Sequence, residues 1–435
     1  MSKFSQKYIL QQQTPMIHFQ DKEPGATLRA SEVKPKLDTF LIAKIGGIKN
    51  IQSNWWIAYD KEKNELIHPA LNYKLRFEAS NDESNSHPVY TKKTDKKGRT
   101  KLEGVGAYFF TETDESKIKK SSYYQKIEMF IFSTEPTLLS MMDADTLCEF
   151  FATHNFGFRQ DKGFGSFIFL GNESDRKTPA DSCSFAKNIS NHYLEIVSND
   201  TTRILGNIKT FWQEIKGGLN NPHIKPPLYK RSFLMKEYFG HLSPYPHLND
   251  KKAMKQALLN TGMFILDVNH IEDYDNERNP APASIKLKPS AGISNAEYIR
   301  GLLGFAGFYS FRNVQLRYPP TGINQEKHFD VTFLVDGGKI QRFPAPILFK
   351  PIIEGNKTYV FLITNQEAFQ QLSSQTVTLK PQVFEDKDNA LQSAVNHAIS
   401  KIPDITCTIP YSEDFLNDFF NKAESSGEWR YLKHV

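Results

Sequence analysis

Gly157-Phe158-Arg159-Gln160-Asp161-Lys162-Gly163-Phe164-Gly165-Ser166-Phe167 is the stretch on which the fold turns. Gly163 and Gly165 flank a single aromatic, which leaves little side-chain bulk and suits equally a tight turn at positive φ or a nucleic-acid backbone lying against the turn. Its neighbours give it a place. Before it, Leu139, Met142, Leu147, Phe150 and Phe151 form an apolar stripe at helical spacing over 138–154, and after it 166–170 reads as an aromatic strand. Further back, 127–132 reads as an apolar strand and 73–79 alternates as a strand does. Leu37, Phe40 and Leu41 recur as one face of a helix whose first turn holds Pro35, and 7–13 reads as an opening strand.

The order over the first 171 residues is then β-α-β-β-α-β, the ferredoxin-like (RRM-like) arrangement, in which two helices cover one face of a four-stranded antiparallel sheet. The other face stays free, and RNA-recognition modules use that face. The aromatic strand Phe167-Ile168-Phe169 could stack on bases, but alternate residues of it must face the helices, so core packing is at least as good a reading. Between the second and third strands, 80–99 is polar enough to read as a loop. Its end carries Lys92, Lys93, Lys96, Lys97, Arg99 and Lys101, which suits a solvated tip or RNA contact equally.

Residues 172–190 are polar, contain Pro179 and read as a linker. Beyond them, 193–197 reads as a strand and Ile204, Leu205, Ile208, Phe211, Trp212 and Ile215 as an amphipathic helix. A helical segment over 295–308 and strands near 331–335, 346–350 and 359–363 suggest a second, more divergent ferredoxin-like domain over 191–365. The remaining 366–435 form a partly helical extension. The fold class is therefore α+β, with two ferredoxin-like domains, antiparallel sheets and long insertions.

Composition narrows the function. A formal net charge of +5 suits a polyanionic partner without demanding one, so local clusters of charge carry more weight than the total. Three scattered cysteines, Cys148, Cys183 and Cys407, make neither a metal knuckle nor a disulfide framework, which fits a reducing cytoplasm. The start of the chain lacks the apolar centre of a signal peptide, and no run reaches the roughly 18 apolar residues of a membrane span. No His-x-x-x-His, Cys-x-x-Cys or clustered-carboxylate pattern indicates a metal, no paired-Asp hairpin supports polymerase or cyclase chemistry, no Gly-Lys-Ser/Thr ending makes the glycine stretch a P-loop, and no cofactor is expected.

Two motifs combine with the element order. Thr14-Pro15-Met16-Ile17-His18-Phe19 leads to Gly25-Ala26-Thr27-Leu28-Arg29, where a glycine turn feeds the first helix and Arg29, Lys34 and Lys36 supply charge. In the late glycine stretch, Arg159 and Lys162 could approach phosphates beside Gly163 and Gly165. An early strand ending near Thr-Pro, a Gly-x-x-x-Arg-(small) turn and a late Gly-Phe-Gly-Ser loop, in that order, resemble the RAMP superfamily of CRISPR proteins. The segment Ile340 to Lys350 resembles the strand entry of second RAMP units, with Arg342 matching and Ala345 standing where Ser is common.

The resemblance, close over 5–170 and looser over 190–365, implies an RNA-binding, non-catalytic scaffold subunit of a type III antiviral effector complex. It would hold guide RNA or its duplex with target RNA, beside other effector subunits. The candidate RNA-binding residues are Gly25, Arg29, Lys34, Lys36, Arg159, Lys162, Gly163, Gly165 and Arg342. Some relatives are metal-independent endoribonucleases that mature guide RNA, usually with a histidine base, and His18 is the candidate for that role. A third alternative is a module that docks neighbouring subunits.

Overall fold

The structure, a computed structural model, describes residues 4–17, 27–60, 65–79, 87–88, 90–94, 100–104, 120–221, 228–230, 232–235, 248–266, 296–304, 307–323, 327–337, 343, 345–373, 375–386 and 389–435. The chain is α+β, and by its internal contacts it divides into two compact units. The first is built from residues 1–211, 347–364 and 424–435, the second from 212–346 and 365–423. This partition differs from the one read along the sequence, because strands late in the chain return to the first unit.

In the first unit, β1 (Ser5–Gln12), α1 (Ala30–Lys44), β2 (Lys74–Ala79), β3 (Ile127–Phe132), α2 (Ala144–Thr153) and β4 (Phe167–Gly171) occur in that order, with further short elements between them, among them a hairpin of Trp56–Asp60 and Glu65–Leu71. The sheet order is β4-β1-β3-β2, with every neighbour antiparallel. Alternation decides which face each strand buries: Tyr8 and Leu10 on β1, and Ile127, Met129 and Ile131 on β3, pack against Val33, Leu37 and Leu41 of α1 and Phe150 and Phe151 of α2. On β4 both faces are buried. Phe167 and Phe169 enter this core, while Ile168 enters a second cluster with Cys183, Ala186, Ile352 and Phe361, so the aromatics of β4 cannot stack on bases.

Several local expectations are corrected. The first helix begins at Ala30, with Pro35 inside it; the bond that proline forgoes would have gone to the carbonyl of Ser31, an exposed residue whose oxygen water can satisfy. The stripe over 138–154 belongs to two helices, Pro136–Met141 and α2. The break falls where Asp143 caps α2, its side chain accepting from the Thr146 amide at 2.7 Å. Within 80–99, read as loop, Tyr90–Thr94 pairs with Thr100–Gly104 as a two-stranded ribbon. The supposed linker 172–190 contains α3 (Pro179–Lys187), started by a Thr178–Asp181 capping box.

A second sheet of the same unit joins β5 (His192–Ile196), followed by α4 (Thr201–Trp212), to β6 (Ile347–Glu354), β7 (Lys357–Thr364) and β8 (Leu432–His434), in the order β6-β7-β5-β8. All three pairings are antiparallel. Trp429 is buried here, its ring 5.4 Å from that of Phe211.

The second unit holds a seven-stranded sheet. Its centre is antiparallel, Phe308–Leu316 against Phe329–Asp336 and Thr376–Pro381 against Ile405–Thr408. Ala296–Glu297 adds two short parallel pairings. The helix expected over 295–308 is a short 3-10 turn, Ile299–Leu303, stopped by Gly304 at φ +88° before the next strand begins. No helix among the described residues is long and apolar enough to cross a membrane.

Candidate nucleic-acid interface

The two motifs that lie about 150 residues apart in sequence meet in space. Thr14 is the junction: its hydroxyl donates to the Gly163 carbonyl at 2.6 Å and accepts from the Ser166 amide at 3.0 Å. The Gly165 amide donates to Pro15 O and the Phe158 amide to Ile17 O, both at 2.9 Å, so 14–17 runs alongside the glycine loop. From the other side, Glu32 of α1 accepts from the Gly157 amide, and Lys36 donates to Asn155 O at 2.7 Å and to the Gln160 side chain. The loop is thus clasped between the end of β1 and the first turns of α1.

The glycines serve this closeness rather than a ligand. A Cβ at Gly165 would lie 1.8 Å from Phe156 O, and one at Gly163 would lie 2.7 Å from Cδ1 of Ile208. Both residues are buried and both have positive φ, so another chain segment of the protein occupies the place expected of a nucleic-acid backbone.

The cations divide. Lys34 is turned inward: its ammonium donates to Asp38 at 2.8 and 3.1 Å and to Leu71 O at 2.8 Å, and sits 4.1 Å from the centre of the Tyr73 ring. Burial lowers its pKa, with Asp38 opposing, and its work is to fasten α1 to residue 71. Lys162 is mostly covered and pairs with Asp161 at 3.0 Å; burial again lowers its pKa. Lys36, also half-buried and 4.8 Å from the centre of the Phe156 ring, is held down to about 8 by burial, with Glu32 opposing.

Arg29 caps the start of α1, partly exposed, in an extended conformation. Arg159, also partly exposed, is the one non-glycine residue at positive φ among the described residues, at +59°. A β-carbon in that region costs about 1 kcal/mol or more, which the contacts that fasten the loop have to offset. Gly25, Arg342 and His18 lie outside the described residues.

Lys350 and Asn155 also shape the site, and nothing in the sequence reading singles them out. The Lys350 ammonium is fully buried and donates to His154 O at 2.9 Å and to Phe167 O at 2.8 Å, the two ends of the loop. Asn155 donates to Gln160 O and to Phe349 O, both at 2.8 Å. The readable mark was a lone lysine inside the apolar run Ile347-Leu348-Phe349-Lys350-Pro351-Ile352.

His154, next to the loop, is packed 4.6 Å from the Phe150 ring, with Nδ1 2.9 Å from Phe150 O. Burial, reinforced by Lys36 and Lys350, outweighs that bond and pushes its pKa down to about 4, so the ring is neutral at physiological pH. No group of three or more His, Cys, Asp or Glu able to hold a metal is found among the described residues.

The Thr-Pro strand end and the glycine loop, whose sequences resemble those of the RAMP superfamily, are docked on each other in the fold, and the family matches make the chain a RAMP subunit of a type III CRISPR complex. Comparison with known proteins narrows the class. The Cmr1 N-terminal domain matches residues 3–219 and the Cmr1 C-terminal domain residues 229–430, and the chain belongs to the Cmr1 family. It is thereby a subunit of a type III CRISPR effector complex, with other effector subunits as its partners. Among solved structures, it is similar to apo Cmr1 from Pyrococcus furiosus. That likeness has 9% identity and a TM-score of 0.34, covers 94% of this chain and 100% of that one, and is too distant to carry detail across. No curated protein matches the chain.

Proposed function

We propose that the chain binds guide RNA, alone or paired with its target, as a non-catalytic scaffold of an antiviral effector complex in the cytoplasm. On this reading the first unit is a ferredoxin-like RAMP domain, supported by its β4-β1-β3-β2 order. The RNA backbone lies along the start of α1 and the outer side of the glycine loop. Arg29 and Arg159 reach phosphates there, while Lys36 and Lys162 add field from partly desolvated positions where charge is weakly screened.

The observation that carries this is Arg159. Its left-handed backbone sets a partly exposed cation, with its guanidinium 5.5 Å from the centre of the Phe158 ring, on a loop held by Thr14, Asn155 and Glu32. Lys34, Gly163 and Gly165 support the loop from within and are not assigned to RNA. Catalysis through His154 is disfavoured because its half-buried ring is packed on Phe150 and its Nδ1 is engaged with backbone.

The test is fluorescence anisotropy of the full chain with labelled repeat-derived RNA across a salt series. Arg159→Ala should weaken binding about tenfold and make the salt slope shallower by roughly one. Arg159→Gly should weaken binding equally while raising thermal stability by about 1 kcal/mol, since it relieves the positive φ. RNA affinity unchanged in both variants removes the assignment. Site-specific cutting of the same RNA without metal would favour the endoribonuclease instead.

A further inference from the structure

The outward face of the first sheet takes no part in the interface above. β3 is one of its two central strands. Ile127, Met129 and Ile131 of β3 are buried, so Phe130 and Phe132 turn the opposite way. Register places Lys7 of β1 and Arg76 of β2 on either side of Phe130, and Ser5 and Lys74 on either side of Phe132. The Lys7 ammonium lies 5.3 Å, and the Arg76 guanidinium 5.7 Å, from the centre of the Phe130 ring. Phe132 leaves 46% of its surface in solvent, and the side chains of Lys7 and Arg76 leave 49% and 73%.

We propose that this face is a stacking platform for unpaired nucleotides of single-stranded RNA, with Phe132 as the ring that takes a base and Lys7, Lys74 and Arg76 as the groups that meet the flanking phosphates. It rests on the reading that the chain binds RNA and adds a second contact, of a different kind, to it. A base offers a flat π face whatever its identity, so one exposed ring beside cations suffices to hold it.

The distribution of charge favours RNA over a protein partner. The two rings are flanked by Ser5 and Lys7 on β1 and by Lys74 and Arg76 on the edge strand β2, so the apolar surface does not spread across the strands. Three cations face Glu78 and Glu128. Glu128 holds Lys7 at 2.8 Å and Glu78 holds Arg76, which leaves Lys74 with no carboxylate among the described residues. A phosphate meets that surplus positive charge directly.

The probes are a labelled oligouridylate single strand and a fully paired RNA duplex of equal length, titrated against the full chain. Phe132→Leu keeps an apolar side chain at an exposed position and removes only the ring. It should weaken single-strand binding about tenfold, with the salt slope and the duplex affinity unchanged. Phe132→Trp should bind the single strand at least as tightly as the wild type. Equal single-strand affinity in wild type and Phe132→Leu overturns the platform and leaves the face to a protein partner. A loss common to both probes overturns it as well, because that pattern reports damage beyond stacking. If the wild-type chain binds neither probe, the RNA reading of the whole chain falls first.

Discussion

His154 shows how one half-buried side chain ties stability to pH. It is neutral in the folded chain, with its pKa pushed from the usual 6.5 down to about 4, while the unfolded chain takes up a proton near 6.5. Between those values the unfolded state binds more protons, so lowering the pH through the window favours unfolding, and the gap amounts to about 3 kcal/mol. Chemical denaturation of the full chain at pH 7 and pH 4.5 should show about 2 kcal/mol of that loss, and His154→Phe should remove most of the difference. A variant with the same acid sensitivity as wild type would mean that other groups carry it. At this scale the sequence was partly legible: the cations near the loop were visible, their allegiance was not. Lys34 reads as a phosphate contact until Asp38, one helical turn on, is seen to take its ammonium. Arg159 could be named from its place among glycines, but its positive φ could not.

At the scale of elements, the four strands of the first sheet were legible because each buries one face and alternates or is wholly apolar. The helix starts were less so, since a proline marks a first turn only when nothing upstream continues the helix. β6 is the element whose role no local pattern disclosed. Lys350 ties both ends of the glycine loop, Ser166 donates to Pro351 O at 2.7 Å, and the Ile353 amide donates to the Gln13 side chain at 2.7 Å. These partners lie about 180 to 340 residues apart in sequence, beyond the reach of periodicity. Lys350→Met should therefore leave two buried carbonyls short of a donor, at a cost of about 1–3 kcal/mol. Amide exchange should quicken first in 155–166, ahead of β1 and β3. Uniform acceleration across the first unit would show that the lysine supports the core generally and not the loop.

At the scale of the whole molecule, the two units are interleaved along the chain, and each is closed by a segment that arrives after the other has begun. The family boundaries suggest cutting near residue 219, which would keep β5 and α4 and discard β6, β7 and β8. The remainder would hold one strand of a four-stranded sheet, with Phe361 and Ile352 gone from the cluster beneath Ile168, and without Trp429 against Phe211. A lone strand with open edges and an uncovered apolar face invites aggregation. A fragment of residues 1–219 should therefore be largely insoluble or rapidly degraded by protease within 167–212, whereas the full chain resists. Restoring 347–364 and 424–435 through short Gly/Ser connections should return a cooperative thermal transition. The split fragment folding as well as the full chain would show that the late strands are decoration on a self-sufficient first sheet. The bonds from Lys350 and Pro351 to both ends of the loop instead make the segment that is proposed to hold RNA a product of both halves of the sequence.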